Sequence, residues 1–504
     1  MRIFIVFVFA FTLVFLNSCS TEDDSKVITK PVDRNTLGNH NQNTGSTQKN
    51  ELDNYLDLLP SKITKRMSEW KIPGLSIAII HDQKTIFQSA LGFKDVEQQQ
   101  YTDTNTIYAI ASVSKVFQSF LLMQLTEKGT LRPDIPLRQI LTNFPHQSTT
   151  LEQLASHTSG LSESYDFNWF TTTFMGWIIT RGLIPIRWFG DASELLNDLP
   201  KLKLKYTPGN EAHYSNLGCQ LLGLAIEKAT GDSYITMLQQ NVLKPLGMHN
   251  SGVDINNAPS QFVPKGYVHS FGGSKPLVVK KRVYGYGIHG GGQYCTTSDM
   301  ARFIKVNFQD NPTVINAKSL LKMYVPRSKP DPDSHNGYAL GWGYTWVKGH
   351  YCLEKGGGEP GFNTYINIIP DLKIGIVIMI NTWSPISDIY ENGTGLIAGE
   401  ILEELIPYFE SSITNSNSNI NDINLQNYVG KYSLESIADF DVAVTDYMLM
   451  LTCVKNPAYK EYLVPLDRHT FGFKNHKKGT HHFQVNKQGK ITSMTFGPFT
   501  FERK

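Results

Sequence analysis

The sequence predicts an α/β domain, an antiparallel sheet flanked by helices with a helical subdomain, and behind it a small all-β C-terminal domain. Three patterns predict it. Apolar runs that read as hairpins of buried strands stand at 75–91 and at 362–381. The stretch between them is mostly helical in pattern. From about residue 425 onward only short strand-like runs remain. Sheet pieces on both sides of a helical middle imply a sheet closed by the two ends of its domain.

The 504 residues are 40% hydrophobic and 18% charged, an ordinary soluble composition with room for a large core. A net charge of +2 without a long basic run leaves no electrostatic footprint for nucleic acid. Met1-Arg2 precedes an apolar run from Ile3 to Leu16, too short to cross a membrane and read as a signal peptide. Its ending, Leu16-Asn17-Ser18-Cys19, resembles a bacterial lipobox. Residues 1–19 would then form a lipoprotein signal, with acyl chains on Cys19 holding an exported protein to the membrane, in the periplasm or on the outer surface.

Residues 20–50, rich in Asn, Gln, Ser and Thr, read as a flexible tether. The domain 51–410 opens with helix-like 51–69, then Pro73-Gly74, "LSIAII", the turn "HDQK" and a second run at 86–91. Its far hairpin is "FNTYINII" and "IGIVIMIN" around Pro370-Asp371-Leu372-Lys373. "SSITNSNSNINDIN" at 411–424 is a linker. In 425–504 the runs "YVGKYSL", "FDVAVT", "YMLMLTCV", "EYLVPL", "HHFQV" and "ITSMTF" predict a small antiparallel barrel or sandwich.

Chemistry enters at "AIASVSKVF", 109–117. Apolar residues at 113, 116, 117, 120, 121 and 125 and the stop Lys128-Gly129 predict a helix with Ser112 in its first turn. Lys115, three residues on, lies on the same face and reaches the serine oxygen. A serine hydroxyl needs a base within about 3 Å. A lysine serves only if desolvation or a neighbouring cation brings its pKa down from about 10.4. The helix N-terminus favours the negative charge that attack creates.

Other stretches accompany this pair: "HTSGL" at 157–161, "YTPGNEAHYSNLGCQLLG" at 206–223, "GGGQYCTTSDMARF" at 290–303 and "KGGGEPGF" at 355–362. With "IPGLSIAII", "LTEKGTL" and "LKPLGM", they make residues 65–405 resemble the serine β-lactamase and D-alanyl-D-alanine peptidase superfamily, most like its class C β-lactamase and esterase branch. The resemblance implies a β-lactamase-like fold and an acyl-enzyme mechanism. It makes Ser112 the nucleophile, Lys115 its partner and Tyr214 a proton shuttle, with Asn216 orienting Lys115 and the substrate amide. Lys355 would attract a substrate carboxylate or leaving group. The oxyanion hole would be the N–H groups of Ser112 and Gly358, on the substrate-binding run Gly356-Gly357-Gly358. Where the family has Lys-Thr/Ser-Gly, this chain has Lys355-Gly356-Gly357, losing a hydroxyl that helps bind a carboxylate.

The expected function is a cell-envelope serine hydrolase acting on a small-molecule or peptide ester or amide. D-alanyl peptide carboxypeptidase or β-lactamase activity is one alternative, and a non-catalytic lipoprotein that binds peptidoglycan or a partner is another. His157 reads as structural. Glu354 and Glu359 are expected to pair with lysines or face solvent. The glycine triplets lack phosphate-loop spacing, there is no Gly-x-Ser-x-Gly elbow, and the 14 histidines form no metal motif, so no metal and no cofactor is expected. Cys219, Cys295, Cys352 and Cys453 read as unpaired thiols. The segment 164–191, with three tryptophans and four phenylalanines, reads as an apolar wall or lid at the site, or as a buried insertion.

Overall fold

The computed structural model describes residues 46–162, 186–187, 192–209, 211–268, 277–279, 282–308, 314–328, 337–383, 394–410 and, with short interruptions, 423–504. The signal peptide with Cys19, nearly all of the tether and linker, and almost all of the aromatic segment 164–191 lie outside the described residues. No described helix is long and apolar enough to cross a membrane.

Helix α1, Ser46–Glu69, starts a few residues before the expected domain boundary. Strands β1 (Gly74–His81), β2 (Lys84–Asp95) and β3 (Gln100–Tyr101) follow it. The other half of the sheet comes from the far side of the domain: β4 (Gly337–Tyr338), β5 (Gly343–Val347), β6 (His350–Glu359), β7 (Phe362–Ile369) and β8 (Ile374–Ile380). The order is β4-β5-β6-β7-β8-β1-β2-β3. β1 pairs antiparallel with β8 from Leu75↔Ile380 to His81↔Ile374, so the sheet is closed by the two ends of the domain, as expected.

"LSIAII" and "IGIVIMI" are apolar without alternation because both faces of the sheet are covered. Leu75, Ile77 and Ile79 pack with α1 and with helix α5, Thr394–Leu405. Ala78 and Ile80 share the opposite core with helix α2, Ser114–Glu127, and helix α4, Thr297–Val306. Between these helices Phe117 stacks on Phe303 at 4.1 Å. From Ser114 to Leu125 every residue of α2 is buried, and the helix stops where Gly129 takes a positive φ of 72°.

The tail is a closed eight-stranded barrel, β9 (Gly430–Leu434), β10 (Ala438–Thr445), β11 (Met448–Cys453), β12 (Lys460–Pro465), β13 (Thr470–Phe473), β14 (Thr480–Val485), β15 (Ile491–Phe496) and β16 (Phe499–Arg503). β13 and β16 escaped the sequence reading. Pairing of β9 with β16 removes both edges. The barrel meets the sheet edge through aromatic rings: Trp346 lies 4.9 Å and Tyr351 5.9 Å from Phe496, and Tyr351 lies 5.5 Å from Phe499.

One backbone approach positions the catalytic turn. A Cβ on Gly357 of β6 would sit 2.1 Å from the Ile110 carbonyl oxygen and 2.9 Å from the amide nitrogens of Ser112 and Val113. Only glycine lets the strand come this close. Gly357→Ala is expected to cost about 1–3 kcal/mol, the usual overpacking penalty. Gly399→Ala in α5, where nothing lies within 4 Å of the new methyl, should instead stabilise by about 0.5–1 kcal/mol. Thermal unfolding of the two variants beside the parent checks both signs.

Candidate active site

Ser112 lies in a 3-10 turn, Ala111–Val113, that runs directly into α2, one step outside the regular helix the sequence predicted. Ala111 adopts φ 42°, a conformation L-residues avoid, so the serine sits on a locally strained backbone. The turn is pinned by hydrogen bonds: Ile110 N–H donates to the Gln293 carbonyl at 3.0 Å, and Gln293 N–H to Ser114 Oγ at 3.2 Å.

Lys115 Nζ stands 2.9 Å from Ser112 Oγ and 2.9 Å from the Gly290 carbonyl oxygen, to which it donates. Tyr214 Oη lies 2.6 Å from Ser112 Oγ. Lys115 is 2% and Lys355 5% exposed, and each ammonium nitrogen is 5.1 Å from the centre of the Tyr214 ring. Ser112, Lys115, Tyr214 and Lys355 therefore meet around one ring. Asn216 opens helix α3, Asn216–Thr230, two residues beyond Tyr214 and half-buried.

Burial lowers Lys355 to about 7, and the nearby Lys115 charge lowers it further in the same direction. Sequence reasoning quoted the glycine run 290–292 but gave Gly290 no role. A Cβ there would lie 3.0 Å from that of Cys219 and 3.6 Å from Lys115 Nζ, so the glycine leaves room for the amine to reach the carbonyl.

Of the three glycines on β6, Gly357 meets the amide of Ser112, as described, and a Cβ on Gly358 would stand 3.2 Å from Trp383 Nε1. A Cβ on Gly356 would meet the Tyr365 ring at 3.2 Å, which gives a packing reason for the absent hydroxyl residue. Tyr365 in turn donates to Glu354 at 2.7 Å. Glu359 is 3% exposed and accepts from Tyr284 Oη at 3.0 and 3.2 Å. The expectation that these glutamates pair with lysines or face solvent is corrected: both are held by tyrosine hydroxyls, and burial raises the Glu354 carboxyl above its usual value. The described cysteines, Cys219, Cys295, Cys352 and Cys453, are free, the first three buried, and the described residues contain no metal-ligand cluster.

His157 holds the Tyr214 segment from behind. It adopts φ 59°, is 2% exposed, and packs its ring 4.5 Å from Tyr214 and 4.9 Å from Tyr338. Its Nδ1 accepts the Ser215 N–H at 3.2 Å, which puts the ring proton on Nε2. Burial, then Lys355 and Lys115, hold its pKa well below the ordinary value, so the ring is neutral. Ser215 completes the anchor by accepting from Gly218 N–H at 2.9 Å and donating to the Ser162 carbonyl at 2.7 Å. His157→Phe keeps the ring but strands the Ser215 N–H, at a cost of about 1–3 kcal/mol. Unfolding should show that loss, and Ser112 should react with an organophosphorus reagent at least about tenfold more slowly, since 1.4 kcal/mol is tenfold. An unchanged reaction rate would show that Tyr214 does not need this anchor.

Comparison with known proteins agrees with this geometry. The Beta-lactamase family profile matches residues 59–399. Protein flp of Staphylococcus aureus (strain MRSA252) is 28% identical over 323 residues, covering 62% of this chain and 60% of that protein. The chain thus spans about 60% of the length of this curated relative. Among solved structures, the octameric penicillin-binding protein homologue from Pyrococcus abyssi aligns with TM-score 0.59 at 24% identity, over 88% of this chain and 99% of that one. A class C β-lactamase aligns with TM-score 0.57 at 21% identity, over 74% and 100%. At these identities the structures speak for the fold, and the profile match over more than half of the chain settles membership: the chain belongs to the Beta-lactamase family.

Proposed function

We propose that the protein is a serine hydrolase of the cell envelope that forms an acyl-enzyme at Ser112. The observation that carries this reading is the contact of one hydroxyl with Lys115 Nζ at 2.9 Å and Tyr214 Oη at 2.6 Å, beside a second buried cation. Ser112 Oγ bonds to an ester or amide carbonyl carbon as its proton passes to the amine of Lys115, either directly or through Tyr214 Oη, which takes the serine proton as it hands its own to the amine. The carbonyl π electrons move to oxygen, which the N–H groups of Ser112 and Gly358 stabilise. Loss of one such donor typically costs about 10²–10³ in rate. The leaving group departs with the proton, and water attacks the acyl-enzyme by the same route in reverse.

Lys355-Gly356-Gly357 favours esters over substrates bearing a carboxylate beside the scissile bond. One charge-assisted hydrogen bond, about 1.5–3 kcal/mol, is missing there. The names of the relatives, a penicillin-binding protein homologue and a class C β-lactamase, favour the second reading, a D-alanyl peptidase or β-lactamase. Attachment through a lipidated Cys19 belongs to the same proposal and rests on the lipobox-like "LNSC".

Labelling with a fluorophosphonate and a fluorescent penicillin, followed by mass mapping, tests the reading. Ser112 should take up the fluorophosphonate, and Lys115→Ala should slow that by about 10² or more. Uptake of the first reagent alone supports an esterase, and of both the second reading. If neither reagent modifies Ser112 in folded protein, the non-catalytic binding protein is what remains.

A further inference from the structure

Cross-strand neighbours point to the same side of a sheet, and in the barrel the pairs Tyr432↔Phe440, Phe440↔Cys453, Met494↔Phe501 and Phe496↔Phe499 trace one face around it. Tyr432, Leu449, Phe471 and Met494, each fully buried, mark that face as the interior. Arg503, opposite Tyr432 on that face, donates to the Asn427 carbonyl at 3.0 Å and the Val429 carbonyl at 2.5 Å. Side chains of that face and of the hydrolase domain together line a cavity of about 660 Å³. Phe440, Phe496, Phe499 and Phe501 form its upper wall, and Met123, Val325 and Leu340 form apolar floor beneath. A volume of about 300–1,000 Å³ is that of a small-molecule site.

The rim carries charge of one excess sign. Arg132 and Asp134 pair at 3.0 Å, and Arg327 pairs with Glu152. Lys322, on helix Ala317–Tyr324, has no acidic partner among the described residues. The cavity is not part of the catalytic pocket. Ser156 and Thr158 line it, whereas His157 between them turns its ring to Tyr214, so the "HTSGL" loop stands between the two.

We propose that this cavity is a second, non-catalytic binding site for an amphipathic monoanion, its apolar chain among the phenylalanines of the barrel and its anionic head at Lys322. The phenylalanines at the barrel side suit an apolar chain, the polar side of the lining suits a head group, and the two ion pairs leave one uncompensated cation to receive one negative charge. The site does not depend on Ser112 chemistry and is testable without it.

Dodecanoate, kept below its aggregation concentration, is the probe, and calorimetry on the full-length Ser112→Ala protein is the measurement. One equivalent should bind, and Lys322→Gln should weaken binding by about tenfold or more, the value of one charge-assisted contact. Lys322 is only half-buried and makes no side-chain bond among the described residues, so this variant should fold normally, checked by its melting curve. Cys453 lines the cavity and is the least buried of the described cysteines. Saturating dodecanoate should therefore slow alkylation of Cys453, read by mass mapping, several-fold. Unchanged Cys453 alkylation, unchanged affinity in Lys322→Gln, or dodecanol binding as well as dodecanoate would each overturn the proposal.

Discussion

Lys355 is buried against the same tyrosine ring as Lys115, and its ammonium is costly to keep at neutral pH. Burial strips its hydration, and the Lys115 charge beside it adds to the cost. The arrangement is unfavourable for stability and useful for chemistry. Lys355 falls to about 7, chiefly through burial and then through the Lys115 charge beside it, and the two amines flank Tyr214. The remaining positive charge favours alkoxide or phenolate character beside it. Chemistry of this kind needs a scaffold that stops the lysines from swinging out to water.

Much of the fold serves that restraint. α2 is buried on all sides, so Lys115 leaves the protein core only if the helix moves. Its ammonium is tied to the Gly290 carbonyl, and that contact is possible because residue 290 has no side chain. β6 brings Lys355 from the opposite end of the domain, and Gly357 lets the strand touch the serine turn. Closing the sheet by β1 and β8, strands nearly 300 residues apart, fixes both halves of the site in one body. His157 supplies the third restraint, on Tyr214, and stays neutral chiefly because it is buried, with Lys355 and Lys115 opposing its protonation further.

The parts of this design that are local in sequence were legible. The period of apolar residues gave α2 its length and its stop, and the alternation-free runs gave the paired strands. Ser112, Lys115, Tyr214 and Lys355 were recognisable in company, though no one of them would have been alone. What could not be read depends on distance in sequence or on backbone torsion. Gly290 matters through a carbonyl 175 residues from Lys115, and Ala111 and His157 through positive φ in residues that rarely adopt it. Glu359 looked like a surface charge because its partner Tyr284 is remote. β13 is four residues long and β16 follows a two-residue turn at Gly497-Pro498, so neither announced itself as a strand; only closure of the barrel requires them.

The lowered pKa of Lys355 is the feature from which the proposed reactivity follows, and NMR of protein labelled with 13Cε-lysine observes it directly. One buried lysine resonance should titrate near pH 7, and that titration should disappear in Lys355→Met. If the Lys355 resonance kept the shift of an ammonium group up to pH 10, the electrostatic basis of the site would be contradicted.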